Sequence, residues 1–210
     1  MSYVHGFFRM FTGILSDYKR KGWIDPSWLG DWTMTSRKGL HPILQGLAAE
    51  VAVEMGFHPF MEERWELSIG KTRRRATFDL TLRGENRPTI VVEIDTIDSV
   101  GYASNDRYVP KYVKNNEEIF KNKLVKPVLL KILVAQYPQV DELLHVLVLP
   151  LYVSKPAPWR RLDSRNAYST YQPRYLAECR DSPKPYNLLI LNEEKTELYI
   201  NGNFVSRESW

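Results

Sequence analysis

The run from residue 73 to residue 98, RRRATFDLTLRGENRPTIVVEIDTID, constrains the chain more than any other stretch. Residues 89–94 are almost continuously apolar and β-branched, which fits a strand buried on both faces. That strand ends in acids, Glu93 and Asp95. A preceding strand, ATFDLTLR, carries Asp79, and Gly84, Glu85 and Asn86 supply the hairpin turn between the two. Side-chain direction repeats every second residue of a strand, so Glu93 and Asp95 leave the sheet on one face. If the strands pair as neighbours, Asp79 reaches that face as well. Carboxylates so close repel one another unless they are protonated, solvated or holding a cation. A divalent metal ion is the cation this cluster implies.

The flanking sequence reads as an α/β chain. Residues 2–21 place Val4, Phe7, Phe8, Phe11, Ile14, Leu15 and Tyr18 at helical spacing, with Lys19, Arg20 and Lys21 at the carboxyl end. Docking on the core or on a second subunit suits this helix better than a membrane surface, because its polar face is not strongly basic. A tryptophan-rich loop follows at 23–36, read as a lid over the core or as a base-stacking surface. A helix over 39–55 carries Leu40, Ile43, Leu44, Leu47, Val51 and Met55 as its stripe, with Glu50 at the stripe's edge and Gly56 as its stop. Residues 57–67 suit an outer strand. After a loop at 99–106, a helix is expected over 107–124, bearing Lys111 and Lys114 on one face. The apolar run KPVLLKILVAQ from Lys126 is read as a buried strand, and HVLVLPLYV as another after a short acidic connection at 140–144. The alternation of strand and helix is an α/β signature.

Residues 154–184 are rich in proline, arginine and tyrosine, with a short helix expected over 168–179. Arg160, Arg161, Arg165, Arg174 and Arg180, interleaved with Trp159, Tyr168, Tyr171 and Tyr175, suit phosphate contact with stacking, or else a solvated segment wrapped on the core. Arg73, Arg74 and Arg75 are further candidates for phosphate contact. YNLLILN, TELYIN and FVSRE close the chain as a β-meander, with a turn expected at Gly202-Asn203.

Composition enters as a filter. The net charge of +4, from 29 basic and 25 acidic residues, is compatible with a polyanionic partner or with a solvated surface. One cysteine, Cys179, excludes an intramolecular disulfide and a multi-cysteine zinc site, and reads as a packed side chain in a reducing, cytoplasmic setting. No run approaches the roughly 20 apolar residues of a membrane span, and the first residues lack the basic-then-apolar order of a signal peptide. No glycine-rich phosphate loop occurs, and His5, His41, His58 and His145 lack ligand-like spacing. His41, before a proline at a helix start, reads as a local structural residue.

A helix with Glu50, then two strands, the second with Asp79, then Glu93-Ile94-Asp95, a lysine-bearing helix and further strands resemble the PD-(D/E)XK nuclease superfamily over residues 38–150. The resemblance implies a restriction-endonuclease-like αβββαβ core with a mixed central sheet flanked by helices, inside a single domain spanning 1–210. Residues 1–37 and 151–210 would be its elaborations. Compact size and the early-helix glutamate are similar to archaeal Holliday junction resolvases and their viral relatives. The family's pattern makes Asp79 and Glu93 ligands of Mg²⁺ or Mn²⁺, with the Ile94 carbonyl beside them and Glu50 acting directly or through water. Hard cations prefer such oxygen donors. The implied activity is hydrolysis of DNA phosphodiester bonds leaving a 5′-phosphate, structure-selective and by a homodimer, in recombination, repair or replication.

The pattern breaks at one position. Where the family has lysine two residues after the glutamate, this chain has Asp95. Asp95 is then a further metal ligand, or Lys111 or Lys114 supplies the amine, Lys111 lying nearer the strand end. The other outcome is a nucleic-acid-binding protein on the same fold that has lost catalysis.

Overall fold

The computed structural model describes residues 3–31, 39–96, 125–152 and 167–210. Helix α1 (Tyr3–Arg20) forms as its aromatic stripe predicts, burying Val4, Phe7, Phe8, Phe11 and Leu15. Helix α2 (Leu40–Glu54) ends before Gly56, whose positive φ of 75° closes the turn into the first strand.

Seven strands then form one mixed sheet in chain order: β1 (His58–Ile69), β2 (Thr72–Arg83), β3 (Ile90–Asp95), β4 (Glu142–Val148), β5 (Tyr186–Leu191), β6 (Lys195–Ile200) and β7 (Asn203–Ser209). β1, β2 and β3 are antiparallel, β3, β4 and β5 are parallel, and the closing meander is antiparallel. Every residue of β3 is buried, as its apolar run predicts for a central strand.

Helices α3 (Val125–Gln136) and α4 (Ala167–Arg180) complete the described elements. The α3 segment corrects the expectation of a strand from Lys126. Its buried side chains, Leu129, Leu130, Leu133 and Val134, recur at helical spacing. A continuous apolar run fits a buried strand and a buried helix alike; twelve residues without a turn residue favour the helix, and Pro127 falls where the first turn tolerates it. The connection expected at 140–144 is likewise shorter, since β4 begins at Glu142. The last turn is Asn201-Gly202, both with positive φ, rather than Gly202-Asn203. The helix expected over 107–124 lies outside the described residues.

Two cores sandwich the sheet. α1 and α2 pack on one face with Leu80, Leu82, Val92, Ile94, Leu144, Val146 and Leu189. α3 and α4 pack on the other with Phe78, Val91, Leu143, Leu147, Tyr186, Leu188 and Ile190. In β3, β4 and β5 the two sets alternate as strand geometry requires. β2 breaks the rule: Ala76 and Phe78 face α3, whereas Leu80 and Leu82 face α2. The strand changes face at Asp79.

Candidate functional site

Asp79 sits where the ladder is interrupted on both sides. β1 and β2 pair through Met61 with Leu80 and Glu63 with Phe78, skipping the Glu62–Asp79 step, and Glu62 has a φ of 53°. β2 and β3 pair only from Leu80–Val92 to Leu82–Ile90. Beyond that point side chains take over the backbone's partners. The Ile94 N–H donates to Asp79 Oδ2 at 2.7 Å, and the Asp79 N–H donates to Glu93 Oε2 at 3.3 Å. The Asp79 carbonyl accepts from Gln45 Nε2 at 3.1 Å, and the same amide reaches Glu62 Oε1 at 3.2 Å. Buried backbone groups need partners, and a carboxylate accepts a backbone N–H more strongly than a neutral carbonyl does. Two buried acids therefore stand between the parting strands, held by the backbone itself.

The other side of Asp79 meets α2. His41 Nε2 lies 3.2 Å from Asp79 Oδ1. His41 and Gln45 are four residues apart on α2 and so share a face.

Asp95 follows a different path. Glu93 and Asp95 leave β3 toward the α3 side with Val91, and on the neighbouring parallel strand His145 lies on that side too. His145 is fully buried, and its Nε2 lies 2.7 Å from Asp95 Oδ2. Its Nδ1 lies 2.9 Å from Tyr186 Oη on β5. Burial pushes the Tyr186 phenol well above its ordinary pKa, with Cys179, Tyr175, Asp95 and Glu93 adding to the effect. The imidazole thus bridges the phenol and the carboxylate, one on each ring nitrogen. Asp95, His145 and Tyr186 make a buried chain across three strands. Tyr175 of α4 packs edge-on against the imidazole, ring centroids 5.2 Å apart.

Asp79, Glu93 and Ile94 are thus brought together, and Asp95 is bonded to His145. Among the described residues no group of three or more His, Cys, Asp or Glu side chains is arranged to hold a metal ion. Of the three acids expected to cluster, Asp79 and Glu93 are linked through backbone N–H groups and Asp95 is bonded to His145. A pair still fits Mg²⁺ or Mn²⁺: such ions keep several waters and often take only one or two protein carboxylates, leaving room for phosphate.

Glu50 does not join the site. It is exposed and accepts from Tyr18 Oη at 3.1 Å. At about 100° per residue it stands roughly 140° around α2 from Gln45 and 180° from His41. Lys111, Lys114, Arg160, Arg161 and Arg165 lie outside the described residues. Arg174 is exposed on α4, and Arg73 and Arg75 are exposed on β2. For Arg74 only the backbone is described.

His41, Gln45, Glu62, His145 and Tyr186 escaped the reading of the sequence. A signal existed for His145: an imidazole inside an apolar strand needs a buried partner, as does an acid ending one. Matching the two needed the β3–β4 pairing, which local sequence does not contain. Fold and site define an α/β protein whose mixed sheet opens around a buried carboxylate pair. No family model matches the chain, and no curated protein or solved structure matches it either.

Proposed function

We propose that the chain is a metal-dependent DNA endonuclease that hydrolyses phosphodiester bonds, with Asp79 and Glu93 as the carboxylates that hold Mg²⁺ or Mn²⁺. The observation that carries the reading is the pair itself: two buried acids, 8% and 2% exposed, oriented by backbone N–H groups where β2 and β3 part. Among the described residues the elements run α2-β1-β2-β3-α3-β4, which supports the reading by agreeing with the αβββαβ order that the resemblance to PD-(D/E)XK nucleases implies.

In this reading each residue has a defined task. Asp79 and Glu93 present hard oxygen donors, and the Ile94 carbonyl lies beside them in sequence. The N–H groups of Ile94 and Asp79 fix the carboxylates before substrate arrives, so less reorganisation is needed on binding. His41 restrains Asp79 from the α2 side. His145 and Tyr186 lock Asp95 and with it the end of β3. The bound ion would supply an activated water and charge neutralisation at the phosphate.

A second reading rests on Asp95. The residue that replaces the family's lysine is bonded to His145 and offers no amine. This favours a nucleic-acid-binding protein without catalysis, and cleavage separates the two. With Mg²⁺ or Mn²⁺ the protein is expected to cut at least one of duplex, single-stranded and branched DNA. Asp79→Ala is expected to lose more than about 100-fold, because even groups that only support a metal ligand cost 10- to 100-fold. Wild-type protein that leaves all three uncut with either ion would falsify the nuclease reading.

A further inference from the structure

One basic stretch of this chain lies within the sheet itself. Residues 64–77 hold Arg64, Lys71, Arg73, Arg74 and Arg75 against a single acid, Glu66, a surplus of four. Residues 107–126 and 154–184 carry the same surplus, and acids elsewhere bring the whole chain to +4. Those fourteen positions are the distal part of the β1–β2 hairpin.

The hairpin is a supported ribbon. Among the described residues the distal part of β2 pairs with β1 alone, because its pairing with β3 begins at Leu80. One face carries Trp65, Leu67, Ile69, Ala76 and Phe78, packed on the core that holds α3. Gln136 at the end of α3 bonds both the N–H and the carbonyl of Ser68, at 2.8 Å and 2.7 Å. Tyr137 donates to the Glu66 carbonyl at 2.6 Å and packs edge-on against Trp65. The other face, with Arg64, Glu66, Ser68, Arg73, Arg75 and Thr77, is exposed. Its one ion pair is loose: Arg75 Nε is 3.6 Å from Glu66 Oε1, with the side chains 73% and 59% exposed. Such a pair neutralises little in water.

This basic face leads to the site. Alternation sends residues 73, 75 and 77 out of β2 on the side away from α3. Asp79, where the strand changes face, also meets α2, its Oδ1 3.2 Å from His41 Nε2, so the row of Arg73, Arg75 and Thr77 runs up to Asp79. At about 6.8 Å per two residues, Arg75 stands roughly 14 Å from Asp79 along the strand.

We propose that the outer face of the β1–β2 ribbon is the docking track for a duplex nucleic acid, aligning its phosphate backbone with Asp79 and Glu93. The identity of the polyanion rests on the nuclease reading. The choice of duplex comes from the ribbon. Among the described side chains the outer face of its distal part carries arginine, glutamate, serine and threonine but no aromatic ring on which an unpaired base could stack. The exposed Phe60 lies at the other end of β1, under Arg83. A two-stranded β-ribbon is also a shape that the major groove admits.

The test is binding of a short fluorescein-labelled duplex, followed by anisotropy in EDTA across about 50 to 200 mM KCl, a range over which phosphate contacts are strongly weakened. With Arg64, Lys71, Arg73 and Arg75 in contact, the wild-type log K should fall with log[salt] at a slope of about −3 to −4. Arg73→Ala/Arg75→Ala should reduce that slope by about 2 and weaken binding on the order of tenfold or more. Arg73→Lys/Arg75→Lys should keep the slope, and Arg20→Ala, an exposed site on α1, should change nothing. An unchanged thermal melt for each variant keeps folding out of the comparison. Wild-type slope and affinity in the double alanine variant would overturn the proposal, whatever the cleavage assay gives. So would tighter wild-type binding to the single strand, or to vesicles of anionic lipid, than to duplex. Ribbon-dependent duplex binding by a protein that cuts nothing would leave the ribbon standing and the nuclease reading overturned.

Discussion

At the scale of single residues, Asp95 and His145 decide most. Asp95 is 1% exposed, and a buried charge is tolerated only when paired and hydrogen-bonded. Here the partner is an imidazole whose other nitrogen is held by Tyr186. His145→Ala removes that partner and leaves the acid in an apolar core. The expected loss of stability is about 3 kcal/mol, the cost of leaving a buried carboxylate without its hydrogen-bond partner. Tyr186→Phe removes one hydrogen bond and should cost about 1 to 2 kcal/mol. Urea midpoints measure both, and a loss below about 1 kcal/mol for His145→Ala would show that the chain does not hold the sheet. Cys179 offers a pH prediction. Burial pushes its thiol up to about 12, with Glu178 adding to this and Arg180 and Lys131 opposing it. Above its ordinary value of 9.0 the unfolded chain releases the proton while the folded one keeps it, so stability should fall as pH rises from 9.0 toward 12. At about pH 8 the native thiol should be inert to a disulfide reagent and react only on unfolding, since the thiolate is the reactive form.

At the scale of elements, what the sequence made legible depended on whether a signal was local. The stripe of α1, the apolar start of β3 and the hairpin turn at Gly84 are local, and each element lies where its pattern places it. The α3 segment has a local pattern that two elements share, and its helical form came from packing on β1 and α4: Lys131 donates to Glu178 Oε2 at 3.0 Å. The site was half legible. Asp79 and Glu93 announce themselves as acids in apolar strands, whereas the reversal of β2 at Asp79 depends on Gln45 and Glu62 from two other elements. The closing turn yields a prediction at this scale. Gly202 has a φ of 73°, and a Cβ there would come within 2.6 Å of the Leu176 carbonyl oxygen on α4. Gly202→Ala is expected to destabilise the protein by more than about 1 kcal/mol, combining an unfavourable φ with a backbone clash. A melting temperature equal to wild type would show that α4 and the β6–β7 turn can move apart.

At the scale of the whole molecule, two apolar cores clamp a sheet whose centre carries the polar chemistry. α1 and α2 cover one side, α3 and α4 the other, and a buried hydrogen bond of 2.7 Å between the Thr12 and Thr196 hydroxyls ties α1 to β6. No helix among the described residues is long and apolar enough to cross a membrane. The acids lie where the sheet opens between β2 and β3, with a basic ribbon on one side and the His145 chain on the other. In the proposed reading the two outer acids take unlike roles: Asp79 would bind a cation with Glu93, while Asp95, bonded to His145, anchors β3. Isothermal titration of Mn²⁺ into wild type, Asp79→Asn, Glu93→Gln and Asp95→Asn tests that division directly. Binding should be present in wild type, absent or weakened more than about 100-fold in the first two variants, and retained in Asp95→Asn. Wild-type protein that takes up no ion, or an Asp95→Asn variant that loses binding as fully as Asp79→Asn, would contradict the two-carboxylate centre.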